Sequence, residues 1–329
     1  MRRWLPDPFI LALLTTVALA SALPATGAAA GLVDGVSRIA IGLLFFLHGA
    51  RLSRDAVWAG LRQPWLHLTV LGSTFLLFPL LGLALQAVTP GLLTPLFWTG
   101  VLFVCTLSST VQSSIAFTSI ARGNVPAAVC AATASNLLGI LITPILVSLL
   151  LHRNGGGGEL RSILGITEQL LVPFVAGQVL RPWIGAWVTR HNTLLGLVDR
   201  GSILITVYSA FGAAVAEGIW HLIPPAELGK LVVANGVLLA LVLAITTFGS
   251  RLLGFKRAEE IVIVFCGSKK SLVSGIPMAT VLFGASTAGI VLLPIMLFHQ
   301  MQLMVCAFLA RRYAAGEKAP LRIAPAPAE

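Results

Sequence analysis

The sequence predicts an all-α, polytopic membrane fold: ten transmembrane helices in two inverted five-helix repeats, with discontinuous fourth and ninth helices. Three observations predict it. The chain is 57% hydrophobic and only 10% charged, apolar runs of roughly 20 residues recur along most of its length, and basic residues gather in alternate connections. A soluble domain carries roughly 25% charged residues, so lipid is the solvent for most of this chain.

The apolar runs fall at 8–27, 31–50, 66–88, 96–121, 124–152, 164–188, 200–220, 228–252, 259–284 and 287–310. Each is long enough to cross a hydrocarbon core of ~30 Å. Unpaired backbone groups are not tolerated in lipid and the runs lack a barrel strand's alternation, so these spans must be helices. With the N-terminus inside, sixteen of the 22 basic residues are cytoplasmic, among them Arg2, Arg3, Arg51, Arg54, Arg62, Arg311 and Arg312. Only Arg153, Arg161 and Lys230 fall in the opposite loops, and Arg38, Lys269 and Lys270 lie within spans. The positive-inside rule then puts both termini in the cytoplasm of a multi-pass protein of the cell (inner) membrane. The net charge of +10 is topology, and nucleic acid is excluded as a partner.

Residues 1–27 share features with a signal peptide, namely Arg2 and Arg3 ahead of an apolar stretch and small residues around Ala20 to Ala22. Removing them would leave nine spans and break the charge parity, so they are read as the first span. Cys105, Cys130, Cys266 and Cys306 all sit in apolar runs, with neither a disulfide framework nor metal-ligand spacing, and no cofactor is expected.

A Gly-rich linker at 154–160 separates a first repeat at 1–153 from a second at 161–312, which a cytoplasmic tail at 313–329 follows. Five spans is an odd number, so the second copy enters the membrane in the opposite sense. Setting Cys105 against Cys266 gives an offset of 161 residues and pairs Val101 with Val262, Ser113 with Ser274 and Ile115 with Ile276. Pro8-Phe9 and Pro173-Phe174 match near the start of each half.

Spans 4 and 9 each carry a polar interruption at matching depth: Cys105, Thr106, Ser108, Ser109, Thr110, Gln112, Ser113 and Ser114 in one, Gly267, Ser268, Lys269, Lys270, Ser271, Ser274 and Gly275 in the other. Ser and Thr compete with the helical backbone for hydrogen bonds and glycine adds freedom, so both helices are expected to unwind there. Paired breaks in corresponding helices mark the central site of many secondary transporters. Small residues also serve close helix packing, but that bland role does not absorb two lysines. A charge near the bilayer centre costs at least ~2.5–3.5 kcal/mol. Spans 3, 4, 5 and 10 contain no Asp or Glu, which leaves Glu168 and Glu260 as the nearest carboxylates. The lysines are therefore held by unwound carbonyls and the negative end of a half-helix, lose their protons, or meet an anion. Thr133 and Asn136 in span 5, with His299 and Gln300 in span 10, complete the candidate substrate or ion site.

The motif CGSKKSLVSGIPMA, from Cys266 to Ala279, resembles the SBF-like branch of the bile acid:sodium symporter superfamily. ARGNV (Ala121 to Val125) and LITP (Leu141 to Pro144) resemble its shorter signatures. The resemblance implies a panel domain from spans 1, 2, 6 and 7, a core domain from spans 3–5 and 8–10, and a small organic anion bound between them. It also implies two sodium sites, and here the chain departs from the pattern. Ser114 matches a sodium ligand, but Ile115, Ala128 and Ala132 stand where the pattern has Asn, Ser and Thr, and Phe265 where it has Glu. Lys269 and Lys270 stand where it has Gln and Asn. Hard cations need oxygen ligands and are repelled by ammonium groups, so a lysine is expected to take the place of sodium. The coupling ion, proton or sodium, stays open. The expected function is a secondary transporter. The alternative is a channel or regulatory membrane protein of the same fold, and an enzyme is not expected because HExxH, GxSxG and an aspartate pair are all missing.

Overall fold

The computed structural model describes residues 8–51, 63–151, 159–216, 218 and 225–315. Among them every regular element is helical: α1 (Pro8–Ala22), α2 (Ala28–Arg51), α3 (Pro64–Val88), α4 (Pro95–Thr106), α5 (Gln112–Ile120), α6 (Val125–Leu151), α7 (Glu159–Arg190), α8 (Asn192–Ala216), α9 (Pro225–Leu252), α10 (Arg257–Gly267), α11 (Leu272–Phe283) and α12 (Ala285–Ala315). Seven stretches are long and apolar enough to cross a membrane, α10 and α11 counting together, and Leu11–Ala22 and Pro95–Thr106 are shorter apolar helices.

Several expected boundaries move. The first span ends at Ala22, five residues early, where α1 gives way to a turn that contains Pro24 and Gly27, the latter at φ 59°. The Gly-rich linker loses its last two residues to α7, and α12 runs on to Ala315, three residues into the expected tail. Gly155 to Gly158, Arg2, Arg3, Arg54, Arg62 and Arg153 lie outside the described residues.

Two groups of helices pack together. In one, α2 lies against α7 and α8, and α1 against α8. The α2–α7 contact is made by bare backbone: a Cβ on Gly49 would stand 2.0 Å from the Phe174 carbonyl oxygen, and one on Gly177 2.0 Å from that of Phe46. Glycine is required at both, because small residues let membrane helices approach this closely. In the other group α4 packs on α12 and α6, α10 on α3, α5 and α9, and α11 on α12. Helix α8 joins the groups through α12 and α11.

The span formed by α10 and α11 stands apart in burial. Of its most apolar window 94% is enclosed by protein, against 28–44% for the other six candidate spans. The helix that carries the lysines is thus the one kept from lipid, as a segment with two cationic side chains must be.

Candidate functional site

Helices α4 and α5 are separated by an interruption at 107–111, and α10 and α11 form one candidate span interrupted at 268–271. Leu107 turns to an extended conformation (φ −70°, ψ 155°), and the Ser109 N–H leaves the helical ladder to donate to Ser135 Oγ at 3.0 Å. In the second break Ser271 caps α11, its hydroxyl accepting from the Ser274 N–H at 3.2 Å. The breaks touch. The Ser271 N–H donates to the Ser108 carbonyl at 2.9 Å, and Ser108 Oγ lies 3.2 Å from Ser274 Oγ while donating to Asn136 Oδ1 at 3.0 Å.

The carbonyls freed where α10 ends are capped by hydroxyls from the first break. Ser109 Oγ donates to the Cys266 carbonyl at 2.6 Å, and Ser114 Oγ to that of Phe265 at 2.9 Å. Thr110 Oγ1 closes the cluster, 2.8 Å from Ser113 Oγ and 2.9 Å from Ser114 Oγ.

The carbonyls freed around the end of α4 are capped by Lys270. Its Nζ donates to Thr74 O at 2.7 Å, Cys105 O at 2.9 Å and Leu107 O at 2.7 Å, which gives each of three ammonium protons one acceptor. The ring of Phe78 lies 4.0 Å away on another side. Availability of the Thr74 carbonyl follows from two features of α3. A π-helical turn at Ser73–Leu77 gives the Phe78 N–H to Ser73 O rather than to Thr74 O. The next residue, Pro79, has no N–H to offer in its place. Cys105 O lies in the last turn of α4, where the helix dipole also favours a cation.

Lys269, also fully buried, is placed differently. Its Nζ sits 3.8 Å from the centre of the Phe117 ring and 5.9 Å from that of Phe265, and has no hydrogen-bond acceptor among the described residues. A desolvated cation–π contact contributes about 2 kcal/mol, which falls short of the ~2.5–3.5 kcal/mol cost of a charge near the bilayer centre. Ser268 turns back on its own helix to the Val264 carbonyl. Of the three alternatives for the lysines, unwound carbonyls hold Lys270 and do not hold Lys269.

Of the two carboxylate candidates, Glu260 is not a partner of either lysine among the described residues. Glu260 is gripped by Arg251, from Nε at 3.1 Å to both oxygens and from Nη2 at 2.8 Å, and by the Tyr313 hydroxyl at 2.7 Å. The side chain of Glu168 lies outside the described residues. Two of the expected site residues are not drawn in. Gln112 is exposed at the first turn of α5, and Gln300 is half-buried and makes no hydrogen bond among the described residues. The working glutamine is Gln302, fully buried, which accepts the Lys270 N–H at 2.8 Å and donates to the Lys270 carbonyl at 2.9 Å. His299 Nδ1 lies 2.9 Å from the Gln302 amide nitrogen.

At the positions compared with sodium ligands, Ser114 donates to a carbonyl, Ala128 and Ala132 present buried methyl groups, and Phe265 presents a ring, while the freed carbonyls around α4 hold an ammonium. The site also reaches open space. A cavity of about 210 Å³ is lined in part by Phe45, His48 and Arg51 of α2, Thr133 and Asn136 of α6, and Phe174 of α7. A second, of about 260 Å³, lies toward the other end of α2 and includes Asp34, Arg38 and Thr280.

The family model of the SBF-like CPA transporter family matches residues 7–315. The Uncharacterized protein PA2026 of Pseudomonas aeruginosa is 58% identical over 95% of this chain and 94% of its own length. The YfeH protein of Escherichia coli K12, provisionally named a symporter, is 52% identical over 93% and 92%. Sodium/bile acid cotransporter 7 of Rattus norvegicus is 27% identical over 90% and 89%.

Proposed function

The chain belongs to the SBF-like CPA transporter family, and from that premise we propose that it moves a small organic anion across the cell membrane without family-type sodium sites. Helices α1, α2, α7 and α8 form the panel, the others the core, and the two spans broken at 107–111 and 268–271 cross within that core. The whole is read as two inverted repeats of five spans with both termini in the cytoplasm. Alternating access exposes the cleft between panel and core first to one side and then to the other, and the two cavities at opposite ends of α2 support that reading.

The observation that carries the proposal is the Lys270 ammonium on three freed carbonyls. A tethered cation neutralises the negative end of α4 and organises the crossing, a task that in sodium-coupled relatives falls to a dissolved ion. Lys269, beside it without an acceptor, is the residue through which a proton would couple to transport.

Uptake of organic anions by reconstituted vesicles tests this. Transport is expected to be indifferent to replacing external sodium by potassium and to respond to a pH gradient. A severalfold stimulation by a sodium gradient would overturn the substitution. Single cysteines introduced into α5 distinguish a transporter from a static regulatory protein: solute-dependent labelling supports alternating access, and identical labelling under every gradient supports the static role.

A further inference from the structure

The cavity beside the crossing ends at an ion pair that is only half made. Arg51, the last residue of α2, reaches Asp199 of α8 through Nη1 alone. Its Nε and Nη2 are buried without a hydrogen-bond partner among the described residues, and so is the other carboxylate oxygen of Asp199. Three orphaned polar atoms in one pair carry a desolvation penalty that a fully satisfied pair would not incur. Nε and Nη2 form the edge of a guanidinium that grips a carboxylate with two parallel bonds. The same molecule shows that grip at Arg251, whose Nε and Nη2 hold Glu260.

We propose that Arg51 is the docking group for the carboxylate of the solute, and that Asp199 is an internal counter-ion that masks it in the empty protein. This deepens the transporter reading and rests on it for the identity of the cleft. An entering carboxylate takes the Nε and Nη2 edge and Asp199 yields, so the orphaned donors become paired only when solute is present. Both nitrogens are closed to water in this conformation, which makes docking depend on movement of α2 relative to α8. The walls define the rest of the ligand. Phe45, Leu137, Ile140 and Phe174 are apolar, while Thr133 and Asn136 offer polar atoms on the crossing side. At about 210 Å³ the space lies below the ~300–1,000 Å³ of drug-sized sites, which fits a compact monocarboxylate better than a steroid.

Equilibrium binding to the purified full chain in detergent, at constant ionic strength, tests this without requiring flux. The probes are acetate, hexanoate, benzoate and a steroid carboxylate, each beside its uncharged amide, read as a shift in thermal midpoint. Hexanoate or benzoate is expected to stabilise the protein and its amide is not. Asp199→Asn is expected to tighten binding about tenfold by removing the competitor. Arg51→Lys, which keeps the charge and loses the fork, is expected to weaken it at least tenfold, and Arg51→Gln to abolish it. Equal response to acid and amide, unchanged binding by Arg51→Lys, or no carboxylate bound at all would each overturn the assignment. Carboxylate binding through Arg51 in a protein that moves no solute would leave this inference standing and remove the transporter reading.

Discussion

Ser109 and Lys270 occupy corresponding places, one in each interruption, under the 161-residue register that pairs Cys105 with Cys266. Each caps the other half's freed carbonyl: Ser109 Oγ donates to Cys266 O, and Lys270 Nζ to Cys105 O. The geometry is reciprocal and the chemistry is not. A hydroxyl has one proton to give, and a second hydroxyl, Ser114, is needed to cap Phe265 O. An ammonium has three, so one side chain gathers the Thr74 carbonyl of α3 along with those of Cys105 and Leu107 around the end of α4. The difference teaches that one interruption is closed by several weak caps and the other by one strong cap that bears charge.

The largest expected effect separates the two lysines. Lys270→Met leaves three buried carbonyls without a donor, and a loss of about 3–5 kcal/mol is expected, comparable to breaking a buried charged network. Lys269→Met removes an amine that has no acceptor, so the thermal midpoint in detergent is expected to stay within the equivalent of about 1 kcal/mol. Equal loss in both variants would break the comparison. Ser109→Ala removes one cap of the hydroxyl-lined half, and about 1–3 kcal/mol is expected by the same measurement. The last contrast is within α12: Gln302→Leu unpairs the Lys270 N–H and leaves its carbonyl the His299 ring at 3.4 Å, and should cost about 2 kcal/mol, whereas Gln300→Leu, the smallest effect, should stay within about 0.5 kcal/mol. A reversed order would mean that α12 is rotated relative to the arrangement described here.

That last pair shows what a sequence conveys and what it withholds. Apolar runs announce the spans because lipid admits nothing else, and the Ser/Thr/Gly clusters at 105–114 and 267–275 announce the breaks because those residues unsettle a helix. The phase of a helix around its own axis is weaker information. Gln300 and Gln302 are about 200° apart on α12, and in a helix apolar on every face nothing in the string chooses between them. The exposure of Gln112 on α5 is a matter of phase in the same way. The acceptors of Lys270 are main-chain atoms and leave no residue-type signature, although Phe78-Pro79 in an apolar span does say that one carbonyl will lack its donor. Arg51 reads as an ordinary positive-inside residue, and only its contact with Asp199, 148 positions away, reveals another role.

The three ties of Lys270 span 196, 165 and 163 residues of chain. A ribosome must therefore deliver α3 and α4 into the bilayer long before the amine that completes them exists. During that interval the Thr74, Cys105 and Leu107 carbonyls depend on water, lipid headgroups or an insertion factor for company, and late-formed contacts of this kind delay assembly. An N-terminal half expressed alone would consequently be a target for membrane quality control, and supplying the C-terminal half as a separate chain would rescue it. The residue that sits in the middle of the finished protein is thus also the one that signals, during biogenesis, that the second half has arrived.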